Sequence, residues 1–139
     1  MQQTKIHAYL SFNGNCREAM SFYRDCLGGK LTFQPLRESP LAEKLPPAMQ
    51  ETILHSILVK DGLVLMGTDL LGEEGLKKGN TVSLMLHCGS EEEIRDCYRK
   101  LAEGGRARHP LHPGFSGDLF GDLTDKYGNQ WLLHFTKQK

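Results

Sequence analysis

No apolar run in this sequence approaches the roughly eighteen residues of a membrane-spanning helix, so a bilayer span is not expected. An excess of charge of one sign is missing too, since seventeen Lys and Arg balance seventeen Asp and Glu. A protein that grips nucleic acid through a basic face needs surplus cations to release counterions, and that class of function is set aside. Cysteine is scarce: Cys16, Cys26, Cys88 and Cys97 are spread along the chain, and no two form a CxxC. A zinc cluster needs tighter pairing than that. Two disulfides are arithmetically open, but each cysteine sits among apolar neighbours, and we expect reduced thiols packing as small hydrophobes in a cytoplasmic protein. Polar Asn13 and Gly14 come too early for a signal peptide. The glycine-rich stretches lack GxGxxG or Walker spacing, which argues against a phosphate loop. Ser11 and Ser83 lack a Gly-x-Ser-x-Gly setting, which argues against a serine hydrolase.

What is present suits one globular domain. The chain has 139 residues, 39% of them hydrophobic, enough to bury about two thirds of its unfolded surface. From Ile6 to Phe12 residues alternate between two faces, Ile6, Ala8 and Leu10 on one and His7, Tyr9 and Ser11 on the other. Asn15 and Glu18 have the spacing of a capping box. Beyond them Cys16, Ala19, Met20, Tyr23, Cys26 and Leu27 make one apolar helical stripe that Gly28-Gly29 stops. A short strand over Lys30–Leu36, a proline-rich excursion, a strand over Thr52–Val59, a tight Asp61-Gly62 turn and a strand over Leu63–Thr68 follow.

After a glycine-rich link the plan repeats. Thr81–Cys88 reads as a strand, and Ser90 with Glu93 as a second capping box; Glu91, Glu92 and Glu93 complement the positive end of that helix. Ile94, Cys97, Tyr98, Leu101 and Ala102 form the second stripe, and Gly104-Gly105 the second stop. Strands are predicted near Arg106–His109, Asp118–Thr124 and Gln130–Phe135, with the rest of Arg106–Pro113 a loop whose charges face solvent. A four-stranded sheet with one helix covers only one apolar face, so the other must meet a partner or a ligand. We therefore expect an α+β fold. Two βαβββ modules, about 5–70 and about 80–136, pair into a curved, cavity-enclosing mixed sheet with helices outside. The alternative is one six-to-eight-stranded sheet without internal symmetry.

The segments YLSFNGNCREAMSFYRDCLGGKL, LHSILVKDGLVLMGTD and GDLFGDLTDKYGNQWLLHF resemble the vicinal oxygen chelate superfamily, which includes glyoxalase I, bleomycin-resistance proteins and extradiol dioxygenases. Within it they are most similar to the PhnB-like branch, often labelled 3-demethylubiquinone-9 3-methyltransferase-like. No methyl-donor signature accompanies the label. The resemblance implies paired βαβββ modules and commonly a homodimer. In metal-dependent members it also implies four His or Glu ligands, on the first and last strands of each module. The matching positions here are His7, Met66, Ser83 and Leu132. Only His7 suits a divalent cation, because a thioether, a hydroxyl and an alkyl group supply too little field. The usual metal is therefore not expected, and no cofactor is expected in its place.

Alternation gives a second set of candidates. His7, His55, His87 and His134 lie on predicted strands, each on the face expected to line the cavity. Four imidazoles brought together would suit zinc or iron; separately, each would be a half-buried histidine bonded to backbone or water. The candidate ligand-binding residues are thus His7, Tyr9, His55, Met66, Ser83, Leu132 and His134. The expected function is binding of a small molecule in the sheet cavity without the usual metal. One alternative is a lyase, isomerase or hydrolase using a non-standard histidine metal site, and another is a structural or interaction module.

Overall fold

Alternation and apolar stripes become two units, Met1–Lys77 and Lys78–Lys139, in a computed structural model that describes residues 2–40, 42–114 and 116–137. In the first unit the strands are β1 (Ala8–Ser11), β2 (Lys30–Pro35), β3 (Ile53–Lys60) and β4 (Leu63–Thr68), with helix α1 (Cys16–Leu27) between β1 and β2. The sheet order is β1-β4-β3-β2, with β1 parallel to β4 and the other pairs antiparallel. The predicted stripe is the buried face of α1: Cys16, Ala19, Met20, Tyr23, Cys26 and Leu27, which packs over β2, β3 and β4. Asp61, at φ 50°, makes the tight turn between β3 and β4. Three short 3-10 turns, Leu36–Glu38, Ala42–Lys44 and Pro47–Met49, occupy the proline-rich excursion.

The second unit repeats the order. Its elements are β5 (Leu84–His87), α2 (Glu91–Ala102), β6 (Arg106–Pro113), β7 (Leu119–Thr124) and β8 (Gln130–Phe135), and its sheet runs β5-β8-β7-β6 with β5 parallel to β8. Helix α2 buries Ile94, Cys97, Tyr98 and Leu101 against β6, β7 and β8. The Gly-Gly pairs have an added role: their second glycines lie against the next hairpin's backbone. A Cβ on Gly29, already at φ 107°, would stand 2.7 Å from the Val59 carbonyl oxygen, and one on Gly105 would collide with that of Thr124. All four cysteines are buried thiols, and none is joined in a disulfide.

Three expectations need correction. The curved, cavity-enclosing sheet is not formed: each module makes its own four-stranded sheet, neither closed nor strongly curled. Closure needs edge strands that can pair, and these edges are poor templates. β1 and β5 are four residues long, β2 ends on Pro35, and β6 carries Pro110 and Pro113 and two register shifts. Second, the side chain of Asn15 does not cap α1. Asp69 does so from the end of β4: one carboxylate oxygen accepts the Cys16 N–H (2.9 Å) and the other the Ile53 N–H (3.0 Å). At α2 the Ser90 hydroxyl accepts the Glu93 N–H as predicted, while the Glu93 carboxylate reaches the N–H of Gly89. Third, Arg106–Pro113 is one strand from end to end rather than a strand end and loop; its arginines and histidines are exposed, as expected, and Leu111 is half-buried.

Candidate functional site

Facing follows from the helices. On the first sheet the Ser56 hydroxyl lies 3.4 Å from the Cys16 sulfur, and Gly67 lies under Met20 and Phe12, so these positions look toward α1. A period of two then turns His55, Ile57 and Met66 away from the helix. Tyr9 pairs with Met66, and Met66 with Ile57. The Tyr9 and His55 rings approach across β4 with centroids 5.9 Å apart. Tyr9 is 52% exposed, a large fraction for an aromatic ring on a sheet. His7 precedes β1 and is exposed. Of the sequence candidates in this module, Tyr9, His55 and Met66 share one face.

On the second sheet Trp131 and Leu133 are buried on the helix side, which turns Leu132 and His134 to the open face. The register pairs Leu132 with Met85, and His134 with both His87 and Phe120. Ser83 lies outside β5 and is exposed. Here the structure adds a residue that alternation alone did not single out. Asp118, one position before β7, has its carboxylate 3.0 Å from His134 Nε2, and His134 Nδ1 lies 3.3 Å from His87 Nδ1. The imidazole planes are nearly perpendicular, at 87°. The hydrogen bond from His134 is the main reason that the Asp118 carboxyl is held below its ordinary range. The sequence did contain a signal, because Asp118, Phe120 and Asp122 recur at period two. Asp118 and Phe120 also line an open pocket of about 520 Å³ with Pro113, Gly114 and Ser116. Farther along the same face His109 Nδ1 lies 3.0 Å from the Asp122 carboxylate.

The metal ligation implied by the resemblance does not fit these side chains. His7, Met66, Ser83 and Leu132 are one imidazole, one thioether, one neutral hydroxyl and one hydrocarbon, a set too poor in charge for a hard or borderline cation. Among the described residues no group of three or more His, Cys, Asp and Glu side chains is arranged to hold a metal ion. The thiols of Cys16 and Cys88 are not nucleophiles in waiting either. Burial pushes Cys16 up to about 11, and the neighbouring Cys97, together with burial, raises Cys88. Among the described residues no helix is long and apolar enough to cross a membrane.

Comparison with known proteins agrees with this architecture. A family model described as 3-demethylubiquinone-9 3-methyltransferase matches residues 4–134. Protein PA1353 from Pseudomonas aeruginosa is 35% identical, with a TM-score of 0.80 over 98% of this chain and 100% of that one. A PhnB protein from Bacillus cereus is 30% identical, with a TM-score of 0.74 over 96% of this chain and 100% of that one. Protein YjdN of Escherichia coli (strain K12) is 27% identical across 96% of this chain and 97% of its own length. The chain belongs to the 3-demethylubiquinone-9 3-methyltransferase family, the PhnB-like branch of the vicinal oxygen chelate superfamily.

Proposed function

We propose that the protein binds a small molecule against the helix-free sheet faces and does so without the divalent metal of its metal-dependent relatives. The observation that carries this reading is the first sheet's open face, where Tyr9, His55 and Met66 stand together. Such a wall mixes a flat ring bearing one hydroxyl, an imidazole able to donate or accept near neutral pH, and an adaptable thioether, a combination typical of small-molecule sites. His7, Ser83, Leu132 and His134 are the remaining ligand-facing candidates. The protein is also proposed to act as a homodimer.

The test is a thermal-shift screen of small polar and aromatic metabolites, followed by calorimetric titration of any hit. Tyr9→Phe and His55→Ala should weaken binding at least tenfold, with unfolding midpoints close to wild type because neither side chain belongs to the buried core. The reading fails if no compound stabilises the wild type, or if both variants bind a hit with unchanged affinity.

A further inference from the structure

The second sheet carries a hydrogen-bonded chain whose proton positions can be deduced. An ionised carboxylate only accepts, so His134 Nε2 must donate to Asp118. In neutral His134 this leaves a lone pair on Nδ1. The 3.3 Å approach of His87 Nδ1 then requires the proton of that contact to sit on His87. The outer nitrogen, His87 Nε2, is left as a free base on an exposed residue. Among the described residues, the other titratable or charged groups on this face are Arg106, His112, and the His109–Asp122 pair. His112 Nδ1 lies against the Pro110 carbonyl, and none of these enters the chain.

We propose that Asp118, His134 and His87 form a proton relay in which His87 Nε2 is a general base toward a small molecule with a weakly acidic C–H or O–H. The acidic bond breaks, its electron pair stays with the substrate, and its proton forms a new N–H at His87 Nε2. The proton on His87 Nδ1 passes to His134 Nδ1. His134 becomes an imidazolium that keeps its Nε2–H on Asp118, so the new positive charge forms beside a carboxylate already held ionised by that contact. The reverse sequence returns the proton as a general acid. His87 is the catalytic residue, and His134 and Asp118 are positioning residues. This site lies on a different sheet from the Tyr9–His55–Met66 wall, so either reading can fail alone.

The probe is 5-nitrobenzisoxazole, which needs only a base. Its C3–H proton goes to the base, that electron pair closes the nitrile, and the N–O pair leaves on the phenolate, whose absorbance is followed. The wild type should exceed buffer, and the rate should rise with pH as the relay loses its proton. His87→Ala should lose at least tenfold, while His109→Ala, outside the chain, should keep the wild-type rate. Asp118→Asn should move the midpoint of the pH–rate profile downward, since the imidazolium loses its carboxylate, and Asp118→Glu should restore part of the shift. Nitrogen NMR of the wild type provides a readout independent of variant folding. In the neutral state His87 should carry its proton on Nδ1 and His134 on Nε2. A wild-type rate no higher than buffer, an unchanged rate in His87→Ala, a midpoint unmoved in Asp118→Asn, or a His87 protonated on Nε2 alone would each overturn the relay.

Discussion

At the scale of single residues, burial separates side chains that hold the fold from those free to meet a ligand. Tyr23 has no exposed surface and lies on the sheet-facing side of α1, so its ring is part of the first module's core. Tyr9, with half its surface in water, contributes little to that core. Tyr23→Ala should therefore destabilise by about 3–5 kcal/mol, read as a lower denaturant midpoint, whereas Tyr9→Phe should leave the midpoint nearly unchanged. Equal losses in the two variants would mean that Tyr9 is structural. Asp125 shows how a carboxylate can be buried at no evident penalty. It accepts the N–H groups of Tyr127 and Asn129 on one oxygen and the Trp131 indole N–H on the other, locking the turn before β8.

Among the elements, the two helices begin by different means although their stripes match. Helix α2 is capped locally, by Ser90 and the Glu93 carboxylate, with three acidic residues in its first turn. Ser90→Ala should cost about 1 kcal/mol, because it removes one accepting oxygen from the exposed helix end; chemical denaturation would show an unchanged midpoint if the cap were ornamental. Helix α1 takes its cap from Asp69, 53 positions away along the chain, so its start depends on β4 being in place. Tyr98 ties α2 to the irregular part of the second sheet, with its hydroxyl at hydrogen-bond distance from the carbonyls of His109 and Asp122. Its one proton serves either carbonyl, near the register shifts of β6.

For the whole molecule, each four-stranded sheet brings its own two edge strands and its own helix-free face. Each module covers one face with its helix and leaves two edge strands, β1 and β2 in one and β5 and β6 in the other. Exposed apolar residues accompany them: Ile6 and Val82 beside the short edge strands, and Met85 on β5. Association of two copies would cover such surface, so light scattering coupled to size exclusion is expected to give twice the chain mass across a wide concentration range. A monomeric mass at every concentration would remove the homodimer from the proposed function.

Local periodicity by itself determined the doubled strand–helix–strand–strand–strand order, the two buried stripes and the turn at Asp61, because periods of 2 and 3.6 are written in neighbouring residues. Alternation also grouped Tyr9 with Met66 and His87 with His134, but only on an assumed register, since a slip of one residue would have reversed any of them. Strand ends were less legible: Ile6–Phe12 shrank to Ala8–Ser11, and Thr81–Cys88 to Leu84–His87, since a strand lasts only as long as its neighbour pairs with it. Whether the sheets close, which acid caps α1, and that Asp118 meets His134 were decided by the tertiary structure alone. Each depends on groups far apart in the chain: edges that must find a partner, Asp69 with Cys16, and a carboxylate whose histidine lies on the adjoining strand. Such contacts are set by register and loop closure, whose energies no short window of sequence contains.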